Sequence, residues 1–126
     1  MTAREAGQRA EALAAELLQA RGMRILARNW RRPEGEIDLI VDDSGTCVFV
    51  EVRARTGEEH GHPLEAVGSR KRARVIRAAR LYLASDDLRH APGGGFRFDV
   101  VGVLFPSDGG APVLDHVPNA FEVDSW

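Results

Sequence analysis

GEIDLIVDDSGTCVFVEVRAR, residues Gly35 to Arg55, reads as two β-strands joined by a tight turn, with acids where apolar residues belong. Gly35 opens the first strand, Glu36 to Val41. Successive strand side chains alternate faces, so Ile37, Leu39 and Val41 point one way while Glu36, Asp38 and Ile40 point the other. The turn is Asp43-Ser44-Gly45-Thr46, built from residues that tolerate turn backbone geometry. In the second strand Val48, Val50 and Val52 share a face, and Phe49, Glu51 and Arg53 share the opposite one. Antiparallel pairing of the two strands gathers Glu36, Asp38, Glu51 and Arg53 on one face, where facing Cβ atoms lie roughly 4.5–5.5 Å apart.

Such a face is unfavourable unless something offsets it. Two carboxylates about 4 Å apart repel by roughly 4 kcal/mol at an effective dielectric of 20. A raised pKa on one acid relieves the repulsion, and so does a bound cation. Hard oxygen ligands on a rigid strand pair suit Mg²⁺ or Mn²⁺, which retain waters and open positions for substrate phosphate. An ion so held lowers the pKa of a bound water and stabilises charge on a phosphodiester. Arg53 stands beside the same phosphate.

Asp38 followed by Glu51-x-Arg53 resembles the PD-(D/E)xK motif of the restriction-endonuclease-like superfamily. More closely, the chain resembles the YraN family of small bacterial proteins. The matching pieces are GQRAE at Gly7 to Glu11, Arg28-Asn29, GEIDLI at Gly35 to Ile40 and FVEVRAR at Phe49 to Arg55. Lys71-x-x-Arg74, RFDVV at Arg97 to Val101 and Asn119-Ala120-Phe121 follow. The pairing of GEIDLI with FVEVR is specific, whereas Lys71 or RFDV alone is weak. The resemblance implies a core similar to that of Holliday-junction resolvases, a divalent-metal nuclease activity and a homodimer. It also implies a supporting active-site carboxylate at Glu11. One departure stands out: the nuclease motif prefers lysine where this chain has Arg53. Arginine does not give up its proton to help orient or deprotonate a water, although it can stabilise phosphorane-like charge through two parallel hydrogen bonds.

Outward from the hairpin, 126 residues make one domain, 1–126, with 44% hydrophobic and 29% charged residues, as in an ordinary globular protein. The lone Cys47 excludes an internal disulfide, suits a reducing cytoplasm and reads as a buried structural thiol. No apolar run is long enough to span a membrane and no signal-peptide core is present, so a cytoplasmic protein without membrane attachment is expected. The net charge of −2 argues against a general nucleic-acid coat protein, but the charges are unevenly placed. Arg70, Lys71, Arg72, Arg74, Arg77 and Arg80 follow one another without an acid. Lys71 is the only lysine, a compact charge suited to meeting a phosphate, with Arg70 and Arg74 beside it as nucleic-acid contacts. An ordinary solvated helix face is the competing explanation of the whole run.

The elements follow in order. A helix from about Thr2 to Ala20 carries Glu11, Ala14 and Leu18 on one stripe, which makes Glu11 an acid on a mostly apolar face. Gly22 ends this helix. Met23 to Trp30 reads as a strand, and Arg31-Arg32-Pro33-Glu34 as the link into the hairpin. Thr56 to Pro63 is a polar loop whose His60 and His62 lack a third ligand and make a poor zinc site. A second helix spans Ser69 to Ala84, with Val75, Ala78, Ala79, Tyr82 and Leu83 facing the core. Pro92 to Gly95 is a loop, Phe96 to Phe105 a strand in which Arg97 pairs with Asp99, and Val113 to Val117 the last strand before Asn119-Ala120-Phe121 closes the core. The order is αβββαββ: a single α/β domain, restriction-endonuclease-like, with a mixed central sheet flanked by helices.

Two functions of different class are compatible with this chain. The first is Mg²⁺- or Mn²⁺-dependent endonucleolytic cleavage of DNA, including branched or structured DNA. Asp38 and Glu51 hold the ion, Glu11 and Glu36 support them, Arg53 stabilises transition-state charge, and Lys71, Arg74 and Arg70 grip the backbone. The second is a non-catalytic nucleic-acid-binding module that keeps the nuclease fold.

Overall fold

Alanine, leucine and glutamate dominate residues 3 to 20, and such strong helix formers fold as α1, Ala3–Ala20. Thr2 caps it by accepting a hydrogen bond from the Glu5 amide. The helix ends as Gly22 turns into the left-handed region at φ 89°, with the Gly22 and Met23 amides bonding back to Gln19 and Leu18. The computed structural model describes residues 1–57, 68–85 and 95–123; the His60 and His62 loop lies outside them. The remaining elements are β1 (Arg24–Arg32), β2 (Gly35–Asp43), β3 (Thr46–Thr56), α2 (Ser69–Ala84), β4 (Phe96–Phe105) and β5 (Val113–Phe121). The order matches the expected αβββαββ. β1 runs through Arg31 and Arg32, which the sequence placed in the link, and β5 runs on through Asn119 to Phe121.

The strands form one mixed sheet in the order β1-β2-β3-β4-β5. β3 and β4 are parallel and every other pair is antiparallel. A parallel pair needs a long crossover, and α2 lies on it. Each sheet face has its own core. On one, Ala6, Ala10, Ala14, Ala15 and Leu18 of α1 cover Leu39, Val41, Val48, Val50, Val101 and Val103. Small alanines bring the α1 backbone close to the strands. On the other, Val75, Ala78, Ala79 and Tyr82 of α2 cover Trp30, Ile37, Ile40, Phe49 and Phe98. Tyr82 meets Trp30 and Phe49 edge-on, at 5.5 and 5.9 Å between centroids. Cys47 is buried in this second core, where burial pushes its thiol up to about 12, in keeping with a structural role.

The hairpin departs from strict alternation at one place. Leu39 and Val41 face α1 as a pair, but Ile37 joins Ile40 in the α2 core rather than sharing their face. The break falls on Asp38. The β2–β3 ladder begins at the Leu39–Val50 pair, so beyond it the strands part. The Val52 amide then donates to the Asp38 carboxylate at 2.8 Å instead of to a backbone carbonyl.

Another acid, Asp99, is fully buried. Asp99 of β4 accepts from Arg97 Nε at 3.0 Å, meets His116 Nε2 at 2.8 Å and accepts from the Asn119 amide at 2.9 Å. Burial works to raise its pKa, but these hydrogen bonds outweigh it and hold the carboxyl below its ordinary value. The expected Arg97–Asp99 pair is present, and Arg97 also bridges to Asp43 at 2.9 Å. No described helix is long and apolar enough to cross a membrane.

Candidate active site

The site forms where the hairpin opens. Glu51 sits on the α2 side of β3 next to Phe49, and is only 3% exposed. Asp38, at the break in β2, is fixed by the Val52 amide. The two carboxyl groups are close enough for each to act on the titration of the other. Burial first, then the charge of Asp38, pushes Glu51 up to about 8. Burial also raises Asp38, with the Val52 amide and Lys71 opposing it. Both acids are thus under the electrostatic pressure that a cation would relieve.

Within the chain the cation is Lys71, whose Nζ forms an ion pair with Glu51 Oε1. The sequence assigned Lys71 to the substrate backbone; the structure seats it on the carboxylate pair. Gly35 makes this possible. A Cβ at Gly35 would overlap the carbonyl oxygen of Arg74, so only glycine lets α2 sit this close to the start of β2. Lys71 stands one turn before that contact.

Glu11 approaches from α1, on the opposite layer. It is half-buried, accepts from Asn29 Nδ2 at 3.2 Å and feels the charge of Asp38. Burial raises its pKa, and Asn29 partly counters this. The structure therefore brings Glu11, Asp38, Glu51 and Lys71 together from four elements. Glu36 stays at the edge: its side chain is 51% exposed and pairs with Arg31 at 3.2 Å, although its charge still helps to raise Asp38. Arg53 lies half-buried on β3 on the Glu51 side, and its Nε has no hydrogen-bond partner among the described residues. Arg70 and Arg74 are exposed on the first turns of α2. That end of the helix has no acid in its first turn and no side-chain cap. Cations at a helix N-terminus oppose the helix dipole, so the local field there favours an external anion.

Among the described residues no three carboxylate, imidazole or thiolate groups converge tightly enough to enclose an ion by themselves. Asp38 and Glu51 form a two-carboxylate donor set, which fits Mg²⁺ or Mn²⁺ because these ions keep several waters. Beside the centre a cleft of about 430 Å³ is lined by Arg4, Gly7, Gln8, Glu11, Asn29 and Arg31. The sequence did not assign Asn29 a role, although an Asn at a left-handed φ of 50° next to an acid-bearing helix is a recognisable signal once the fold is known.

Comparison with known proteins agrees on extent. The model of the uncharacterised protein family UPF0102 matches residues 10–103. A UPF0102 protein of Syntrophotalea carbinolica is 43% identical over 121 residues, which is 95% of this chain and 94% of the relative. One from Nocardia farcinica is 48% identical over 115 residues, 91% of this chain and 87% of the relative. One from Streptomyces griseus is 45% identical over 119 residues, 92% and 96% respectively.

Proposed function

The chain belongs to the uncharacterised protein family UPF0102, and we propose that its carboxylate centre is that of a Mg²⁺- or Mn²⁺-dependent endonuclease acting on DNA, branched or structured DNA included. One observation carries the proposal. Buried Glu51 and half-buried Asp38 lie together just past the end of the hairpin ladder and are balanced there by a lysine, beside a helix end rich in exposed arginine. A fold gains nothing from a buried and a half-buried acid brought together on neighbouring strands; a site for a cation and a phosphate does.

Asp38 and Glu51 would hold the ion, with Glu11 steadying Asp38 from α1. When bound, the ion supplies a water of lowered pKa and neutralises charge on the phosphate. Glu51 must release its proton for the site to load, which couples occupancy to pH. Lys71, already at the carboxylates, donates to the attacked phosphate and supplies there the ammonium that Arg53 lacks. Arg53 adds fixed positive charge on the same face of β3. Arg70 and Arg74 take neighbouring backbone phosphates, contacts that position a strand without reading its sequence. A homodimer presenting two such centres to one substrate would follow the resolvase resemblance, and sedimentation velocity tests it.

A second function has its own support. The Lys71–Glu51 ion pair already balances one acid without any added ion, as in a binding module that keeps the fold and not the chemistry. Calorimetric Mn²⁺ titration of the wild type and Asp38→Asn separates the two, followed by incubation with a four-way junction and with single-stranded DNA. A nuclease binds Mn²⁺ and cleaves, and loses both in the mutant while remaining folded. Mn²⁺ binding that persists in Asp38→Asn overturns the proposed centre. Junction binding without metal uptake or cleavage establishes the module.

A further inference from the structure

Gly7 has no explanation in the fold. It lies inside α1, is absent from the residues with positive φ, and a Cβ built on it meets nothing within 4 Å. Glycine is among the poorest residues for a helix interior, so alanine there would stabilise the helix without a clash. Gly35 is the contrast, since its missing side chain is what lets α2 pack. The missing side chain of Gly7 leaves room in the cleft between α1 and β1.

That cleft is built from both walls. Arg4, Gly7, Gln8 and Glu11 follow one another at spacings of three and four and so share a helix face. Asn29 and Arg31 alternate along β1 and so share a strand face. Asn29 is held in the left-handed region at φ 50° and ties the walls together through its bond to Glu11 at 3.2 Å. Non-glycine residues stay in that region where their surroundings fix them. At its inner end Glu11 lies close enough to Asp38 for the charge of Asp38 to raise it, so the cleft opens onto the carboxylate centre. Two of its three charges are positive: Arg4 and Arg31 are exposed, and Arg31, whose charge also reaches Glu11, forms with the exposed Glu36 a weak surface pair that a phosphate can displace.

We infer that this α1–β1 cleft seats the DNA strand leading into the carboxylate centre, its sugar-phosphate backbone lying against the bare helix at Gly7 between Arg4 and Arg31. The inference rests on the nuclease proposal for the identity of the strand and adds a second binding wall opposite Arg70 and Arg74. Among the described residues no aromatic ring lines the cleft, so the strand is held by charge and by hydrogen bonds from Gln8 and Asn29 rather than by base stacking.

The test measures the affinity of a labelled single strand and a labelled four-way junction by fluorescence anisotropy, with Ca²⁺ in place of Mg²⁺, over a series of salt concentrations. Gly7→Ala is expected to melt a few degrees higher, about 4 °C, yet to bind roughly 10-fold more weakly. That opposition of sign is not produced by a structural defect. Arg4→Gln/Arg31→Gln is expected to lower the slope of log K against log salt by about 1.5, the loss of two phosphate contacts. A Gly7→Ala protein that binds as the wild type does, or that is less stable than it, overturns the inference, and so does an unchanged salt slope in the arginine pair. In those cases wild-type binding leaves the nuclease proposal standing; a wild type that binds neither DNA overturns both.

Discussion

Glu51 shows how much a single side chain can report. Its pKa lies above the ordinary 4.5, at about 8, so between those values the folded chain holds a proton that the unfolded chain has released. Stability therefore falls as pH rises through that window. Urea melts from about pH 5 to about pH 9 should show the decline, and Glu51→Gln should flatten it. Mn²⁺ at about 100 times its dissociation constant should restore roughly 2.7 kcal/mol, because the ion binds only the folded site. Lys71→Met should lower cleavage by about 10²–10³-fold, as loss of a donor to transition-state charge does, while Arg70→Gln and Arg74→Gln should chiefly weaken DNA binding. The two strand acids were legible at this scale because charged residues at strand positions violate the hydrophobic pattern. The target of Lys71 was not, since a helix can turn a lysine toward solvent or toward a neighbour with equal ease, and only the seat of α2 decides.

That seat belongs to the scale of elements. Gly35 and α2 meet without room for a methyl group, so Gly35→Ala must push the helix outward or bend the start of β2. A loss of roughly 1–3 kcal/mol is expected from such overpacking, measurable in urea, together with a weaker response to Mn²⁺ as Lys71 shifts. The strands' existence and succession were legible, because β-branched runs bounded by turn residues leave few alternatives, although β1 and β5 run on past their expected ends to Arg32 and Phe121. What alternation could not reveal was its own interruption at Asp38. Ile37 changes faces there because the β2–β3 ladder ends, and the reason lies in a hydrogen bond from Val52, across the hairpin. Local patterns do not contain such cross-strand events.

In the whole molecule, the Asp99 cluster joins distant parts of the chain. Arg21 at the end of α1 meets His116 Nδ1 at 2.7 Å, His116 Nε2 meets Asp99, and Arg97 carries the connection to Asp43. Arginine only donates, so Nδ1 accepts and the imidazole proton sits on Nε2, directed at Asp99. Asp99→Ala should remove about 3–5 kcal/mol by stranding these partners. Because the folded pKa of Asp99 lies below 3.8, its contribution is present above that value and disappears as pH falls beneath it. Acid unfolding should therefore be sharper in the wild type than in Asp99→Asn. The sequence pointed to Arg97 with Asp99 but not to His116 or Arg21, which lie far along the chain. Strand order was equally hidden, although the αβββαββ succession already required one crossover.

That crossover sets the order of folding. β2 with β3, and β4 with β5, are neighbours in sequence and close short loops, whereas the parallel ladder must join Cys47 to Phe96. Long closures come late and slow a folding reaction. The acids Asp38 and Glu51 meet in the early hairpin, and Lys71 arrives only when the crossover helix docks. For that interval the nascent hairpin carries its charge unbalanced, so divalent ions in the refolding buffer should accelerate the slow phase in the wild type and leave it unchanged in Asp38→Asn, a difference that stopped-flow fluorescence of Trp30 can follow.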